Sequence, residues 1–172
     1  MNHYAQSNKA ADVEITEMGL EDLDEVMAIE RSSFVTAWSE ETFRKELGSP
    51  VHHNLVARIE GESGQEVAGY INFLTVVDEV HIRDIAVRED LRMRGIASKL
   101  MAAMINILLY QETVHATLEV RRSNTSAIKL YEKFGFMVKG TRPLYYSDTQ
   151  EDALIMWADL RESFKKAGVY AT

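Results

Sequence analysis

Along the chain the apolar residues switch between a spacing of two and a helical spacing, the rhythms of a strand with one buried face and of an amphipathic helix. VEIT (Val13 to Thr16) alternates and predicts a short strand. In LEDLDEVMAIERSSF, Leu20, Leu23, Met27, Glu30 and Phe34 recur at helical intervals, an apolar stripe apart from Glu30. SEETFRKEL predicts a second helix, with Ser39 as N-cap and Glu40 and Glu41 in the first turn, where the helix dipole favours them. NLVARI and VAGYINFLTVV flank the turn-forming EGESGQ and predict a hairpin. VHIRDIAVRED reads as a further strand, leading into a helix, GIASKLMAAMINILLYQ, with Ile96, Leu100, Met104, Ile107 and Leu108 on one face. HATLEV carries Ala116, Leu118 and Val120 on one side of a strand, and NTSAIKLYEKFGF predicts a helix closed by Gly135. FMVKG, LYYSD and ALIMWADL supply late strands, and Pro50 and Pro143 read as connections. Strands alternating with helices predict an α/β domain with a mixed sheet.

At 172 residues the chain suffices for one domain with a proper core. We expect a flexible tail over 1–11, a domain over 12–160 and a C-terminal tail over 161–172, where the pattern supports either a short helix or no element. The start, MNHYAQSNKAAD, is polar and does not read as a secretory signal. No run approaches the roughly 18–20 apolar residues of a membrane span, so no membrane partner is expected. There are no cysteines, which excludes disulfides, thiolate metal sites and a cysteine nucleophile and fits a cytoplasmic location. The net charge of −8 argues against a nucleic-acid partner.

One stretch sets charge against that background. Arg92-Met93-Arg94-Gly95-Ile96-Ala97 lies between a strand and a helix start. The first amides of a helix have no internal acceptor, and the macrodipole adds positive potential. A glycine admits close approach and positive φ, and two arginines add bidentate donors for phosphate. Together they make a pyrophosphate cradle; the bland alternative is a helix start with solvated arginines. The strand before it changes phase, with Val80 and Ile82 in step but Ile85 and Val87 displaced by one residue. A β-bulge near Arg83 to Ile85 reconciles them, as does a strand buried on both faces. Glu119 points away from Leu118 and Val120 near its strand's carboxyl end, where α/β sheets border their ligand crevices. It suits a general base, or else a surface glutamate paired with Arg121. Tyr131 shares a helix face with Ala127 and Phe134; it is either a core aromatic or a hydroxyl acid. None of the histidines forms a convincing metal ligand set, and His52–His53 reads as a loop pair.

The ordered set IAVREDLRMRGIASKLM, LEVRRSNTSAIKLYEKFGF and YYSDTQEDALIM resembles the GNAT superfamily of acetyl-CoA-dependent N-acetyltransferases, from about Val13 to Leu160. Within it the chain resembles the group that acetylates the N-terminal alanine of a small-subunit ribosomal protein. The resemblance implies a single domain whose mixed, mostly antiparallel sheet carries a β-bulge and is flanked by helices. It implies acetyl-CoA as co-substrate, no metal, and a protein N-terminus, ribosomal in origin, as partner. Arg92, Met93, Arg94, Gly95, Ile96 and Ala97 match the [QR]-x-x-G-x-[GA] loop that holds the coenzyme A pyrophosphate. Ile85, Ala86 and Val87 match the bulged strand that binds the acetyl-pantetheine arm, with Val87 N–H near the thioester carbonyl. Asn124 matches a cofactor contact, Glu119 the proton acceptor acting through water, and Tyr131 the acid that protonates the leaving thiolate. Trp38 and Tyr145–Tyr146 match aromatic segments near the acceptor. Ala97 replaces a common second glycine, and the stretch through His81 and Arg83 departs from the enterobacterial pattern, which bears on acceptor preference. Without cysteine, direct attack in a ternary complex is the simplest route. A lysine side chain or small-molecule amine as acceptor, and a non-catalytic acetyl-CoA-binding module, remain as alternatives.

Overall fold

The two rhythms resolve, in the computed structural model, into strands and helices whose bounds follow from local chemistry; the structure describes residues 12–61, 64–109 and 115–162. The strands are β1 (Glu14–Glu17), β2 (His52–Gly61), β3 (Gly64–Val76), β4 (Glu79–Val87), β5 (His115–Arg121), β6 (Met137–Tyr146) and β7 (Glu151–Asp159). The α-helices are α1 (Leu23–Ser33), α2 (Glu40–Leu47), α3 (Ile96–Leu109) and α4 (Thr125–Lys133). Ser39 Oγ accepts from Thr42 N at 3.2 Å and caps α2 as expected. Asn124 Oδ1 accepts from Ala127 N at 3.1 Å and caps α4. Gly135, with φ of 88°, takes the left-handed position that stops α4.

Among the described residues the strands form one sheet in the order β1-β2-β3-β4-β5-β7-β6. Neighbours are antiparallel except β4 and β5. One face packs under α3 and α4 around Ile71, Phe73, Leu100, Met104, Leu118 and Phe136. The other packs under α1 and α2 around Met27, Phe43, Val56 and Tyr70. The phase change in β4 is a bulge. Asn72 pairs with Asp84 and Phe73 with Ile82, which leaves Arg83 as the extra residue. Val80, Ile82, Ile85 and Val87 can then all face the α3–α4 core.

Two expectations need correction. Pro143 is no connection: it lies inside β6, where the edge position and a register shift after Arg142 spare it a ladder hydrogen bond. His52 and His53 open strand β2 rather than sit in a loop, with His53 Nε2 3.1 Å from Thr75 Oγ1 and its ring stacked on Phe73. The strand begins earlier than the apolar run suggests because His53 is held by Thr75 and Phe73, neighbours distant in sequence. At the C-terminus Leu160 to Glu162 turn helical; the expected tail over 1–11, and all but the first two residues of the one expected over 161–172, lie outside the described residues.

Candidate active site

The β4–β5 ladder runs from Glu79↔His115 to Ile82↔Leu118 and stops, although both strands continue. β5 stays paired with β7 as far as Arg121↔Ala153 and β4 with β3 as far as Val87↔Gly69, so the two strands part from each other just at the β4 bulge. The sheet opens there. Arg88 N donates to Ala68 O at 2.9 Å, one step beyond the Gly69↔Val87 pair. In an antiparallel ladder that makes Gly69 and Val87 a pair whose own amides point out of the ladder. Val87, and by alternation Ile85, thus turn N–H and C=O toward the opening beside β5. Gly69 lets the strands come this close, because a Cβ there would stand 2.7 Å from Ala86 O.

A cavity of about 600 Å³ fills the opening on the α3–α4 side. Ile85, Ala86, Val87, Arg92, Met93, Gly95, Ile96, Ala97 and Asn124, all read from the sequence, line it together. Met93 (φ 62°) and Gly95 (φ 83°) are both left-handed and wind the loop into α3. Lys99 N donates to Gly95 O at 3.1 Å, which leaves the amides of Ile96, Ala97 and Ser98 without an intrahelical acceptor. Arg92 braces the loop through Nε to Val87 O at 3.1 Å and Nη2 to Ser33 Oγ at 3.3 Å. Arg94 does not line the cavity; its Nη2 donates to Asp90 O at 3.1 Å. Sequence reasoning missed Ser33 and Phe34 on one wall and Lys129 and Lys133 on the other. The two lysines, one turn apart on α4, were the available signal. Outward amides, an apolar floor and cations at the rim fit an extended thioester that ends in phosphates.

Glu119 approaches from the other face. It alternates with Leu118 and Val120 and so lies on the α1–α2 side with His81. Its side chain is 11% exposed, hydrogen-bonded to His81 Nε2 at 2.7 Å and ion-paired to Arg142 Nη1 at 3.0 Å. Arg121 is not its partner: that guanidinium bonds Asp148 at 2.6 Å and lies over the Tyr146 ring. Tyr131 is buried on α4 in the main core, its ring 5.8 Å from that of Phe136. Burial, and then the nearby charges of Asp84 and Tyr146, push its hydroxyl upward, so it keeps its proton. Trp38 packs on Phe43 with the Arg83 guanidinium 4.1 Å above its ring, and Tyr145 and Tyr146 meet edge to face. Thr36 Oγ1 donates to Asp148 Oδ2 at 3.4 Å, so the α1–α2 connection touches the β6–β7 turn over this face.

Behind Glu119 lies a polar cluster that sequence reasoning missed. Glu30 is fully buried; it accepts from Trp38 N at 2.8 Å and from the Tyr70 hydroxyl. Asn72 bonds Glu46 and Asn54, and Arg83 pairs with Glu46. Asp84 belongs to the same cluster, its carboxyl pushed up to about 8 first by burial and then by the charge of Glu30. Glu30 interrupting the α1 stripe was the one sign of it. Among the described residues no three His, Asp or Glu side chains converge on a metal position. Nor is any described helix long and apolar enough to cross a membrane.

A parallel pair that splays at a bulge, with amides and a helix mouth turned to the opening, is the layout of an acyl-CoA-handling transferase. The chain belongs to the acetyltransferase (GNAT) family, whose model matches residues 23–136. It is an acetyl-CoA-dependent N-acetyltransferase. A Bacillus subtilis protein provisionally named a [ribosomal protein bS18]-alanine N-acetyltransferase is 37% identical over 149 residues, 86% of this chain and 96% of that one. The [ribosomal protein bS18]-alanine N-acetyltransferase of Salmonella typhimurium is 34% identical over 137 residues, 78% of this chain and 89% of that one. The crystal structure of the Escherichia coli ribosomal-protein-S18-alanine N-acetyltransferase superposes with a TM-score of 0.77 at 31% identity, covering 86% of this chain and 94% of that one.

Proposed function

We propose that the protein acetylates the α-amine of a protein N-terminus, an alanine of ribosomal protein bS18, by direct attack within a ternary complex. A ribosomal substrate sets the reaction in the cytoplasm. The observation that carries the reading is that Ile85, Ala86, Val87, Arg92, Gly95, Ala97 and Asn124 line one cavity together. Glu119, outside that lining, lies on the opposite face of β5 with His81 and Arg142 and serves the acceptor. Acetyl-CoA supplies the activated acetyl thioester when bound, and with no cysteine in the chain an acyl-thiol enzyme is excluded. Arg92, Gly95, Ile96, Ala97 and Asn124, with Lys129 and Lys133, hold its phosphates at the helix mouths. Met93 contributes backbone to that loop, and Arg94 shapes it by bonding Asp90 O. Ile85, Ala86 and Val87 align the acyl arm, and the outward Val87 N–H offers a donor where negative charge grows on the carbonyl oxygen. Glu119 takes the proton that the acceptor ammonium must lose, directly or through one water. Tyr131 keeps its hydroxyl proton and gives it toward the departing sulfur.

Peptides beginning Ala, Ser, Met and Gly, each with a twin whose N-terminus is blocked and whose lysine is free, test the acceptor class. Coenzyme A release and peptide mass would be followed with purified protein and acetyl-CoA. We expect acetylation of free α-amines alone, led by the bS18 N-terminal sequence. Modification of the blocked twins would move the acceptor to lysine side chains.

A further inference from the structure

The two oxygens of Glu119 are both taken. Oε2 accepts from His81 Nε2 at 2.7 Å, and Oε1 is held by Arg142 Nη1 at 3.0 Å. The two partners differ in what they can do. His81 stands on β4, beside the carboxylate it bonds, where β4 and β5 are still paired through His81↔Thr117. Arg142 stands on the edge strand β6, and its side chain is 52% exposed. The β6–β7 register shifts just beyond it, and its guanidinium already lies 5.5 Å from the Tyr145 ring centroid, a second resting place. Arg142 can leave without unfolding anything.

It also has a reason to leave. An acceptor amine arrives as a primary ammonium, one positive charge with three N–H donors. To lose its proton to Glu119 it must come within hydrogen-bond reach of that carboxylate, directly or across one water, and either approach brings its charge beside Arg142. Two cations on one carboxylate oxygen repel each other, and a weakly hydrated guanidinium on a flexible stem is the one that can move. The other groups facing Glu119 do not fill the role. Arg121 is engaged by Asp148 and Glu151, Arg83 by Glu46 and Trp38, and the register partner on β7 is the apolar Ile155. Tyr146 and Asp84 carry no positive charge, and Tyr131 approaches from α4 on the opposite face.

We propose that Arg142 is a stand-in for the acceptor ammonium: it occupies Glu119 in the empty enzyme, and the incoming N-terminus displaces it. The inference rests on Glu119 meeting the acceptor. Arg142 then sets how strongly a cationic N-terminus is bound without contacting the acetyl donor.

The test uses full-length protein loaded with coenzyme A, so that nothing turns over. Calorimetry would compare a free-N-terminus peptide with its N-acetylated twin, which has no ammonium. Arg142→Gln should bind the free peptide about three- to tenfold more tightly and leave the twin unchanged. Arg142→Lys, which keeps the charge, should return affinity toward the wild-type value, and Arg142→Met, which keeps the apolar stem, should behave as Arg142→Gln. In a Glu119→Gln background the substitution should have no effect. Equal shifts for both peptides would show that Arg142 grips the peptide chain and would overturn the proposal, as would unchanged or weaker binding of the free peptide. Normal turnover by Glu119→Gln would overturn the base assignment alone, since the peptide comparison reads cation exchange without chemistry.

Discussion

Asp84 and Asn72 stand opposite each other in the β3–β4 ladder, and each has a buried oxygen, Oδ2 and Oδ1, with no hydrogen-bond partner among the described residues. Two orphaned acceptors on facing residues need one hydrogen, and a protonated Asp84 can supply it. The raised value, from an ordinary 3.8 to about 8, makes that the resting form at neutral pH. The sign of the linkage follows. The unfolded chain releases the proton near pH 4 and the folded one only near 8, so the native state loses stability as pH rises across that window. Asp84→Asn keeps the shape and stays neutral. Its melting temperature should match wild type near pH 4 and exceed it by roughly 5–10 °C at pH 8, on a few kcal/mol of relieved penalty. A difference that does not vary with pH would refute the assignment. Tyr70 is held protonated by burial and by Glu30, in the same cluster.

Among the elements, β4 carries the site, and β3 carries β4. Gly69 has ordinary backbone but no room: the nearest obstacles are backbone atoms of Ala86 and Val87, which cannot swing aside. Gly69→Ala should push β4 toward the cavity, cost about 1–3 kcal/mol of stability by denaturant unfolding, and weaken acetyl-CoA binding more than peptide binding. Equal loss of both would mean only a general softening of the sheet. Much of this element was legible beforehand, because a change of phase between Ile82 and Ile85 has few physical causes and the bulge is one of them. The caps at Ser39 and Asn124 and the stop at Gly135 are local and were equally readable. Glu30 was not, since its partners are the Trp38 amide and a tyrosine forty positions away on strand β3. Pro143 misled for the same reason: only the edge position of β6, a property of the assembled sheet, makes a proline tolerable there. The partners of Glu119 were also illegible, lying on β4 and β6 with β7 between β5 and β6.

At the scale of the molecule the sheet is a partition that, among the described residues, opens where β4 and β5 part. The protein carries a net charge of −8, yet Arg92, Lys129 and Lys133 gather at the cavity on the α3–α4 side, while the buried Glu30 and Glu46 and the nearly buried Glu119 lie on the other. An anionic acetyl donor is thereby favoured at the cavity despite the acidic whole. The most direct measurement is turnover of Glu119→Gln at saturating acetyl-CoA and peptide, with acetyl-CoA affinity measured alongside by calorimetry. Loss of the proton acceptor should lower kcat by about 10²–10⁴-fold while acetyl-CoA binds as in wild type. Full turnover with intact binding would contradict proton transfer through Glu119.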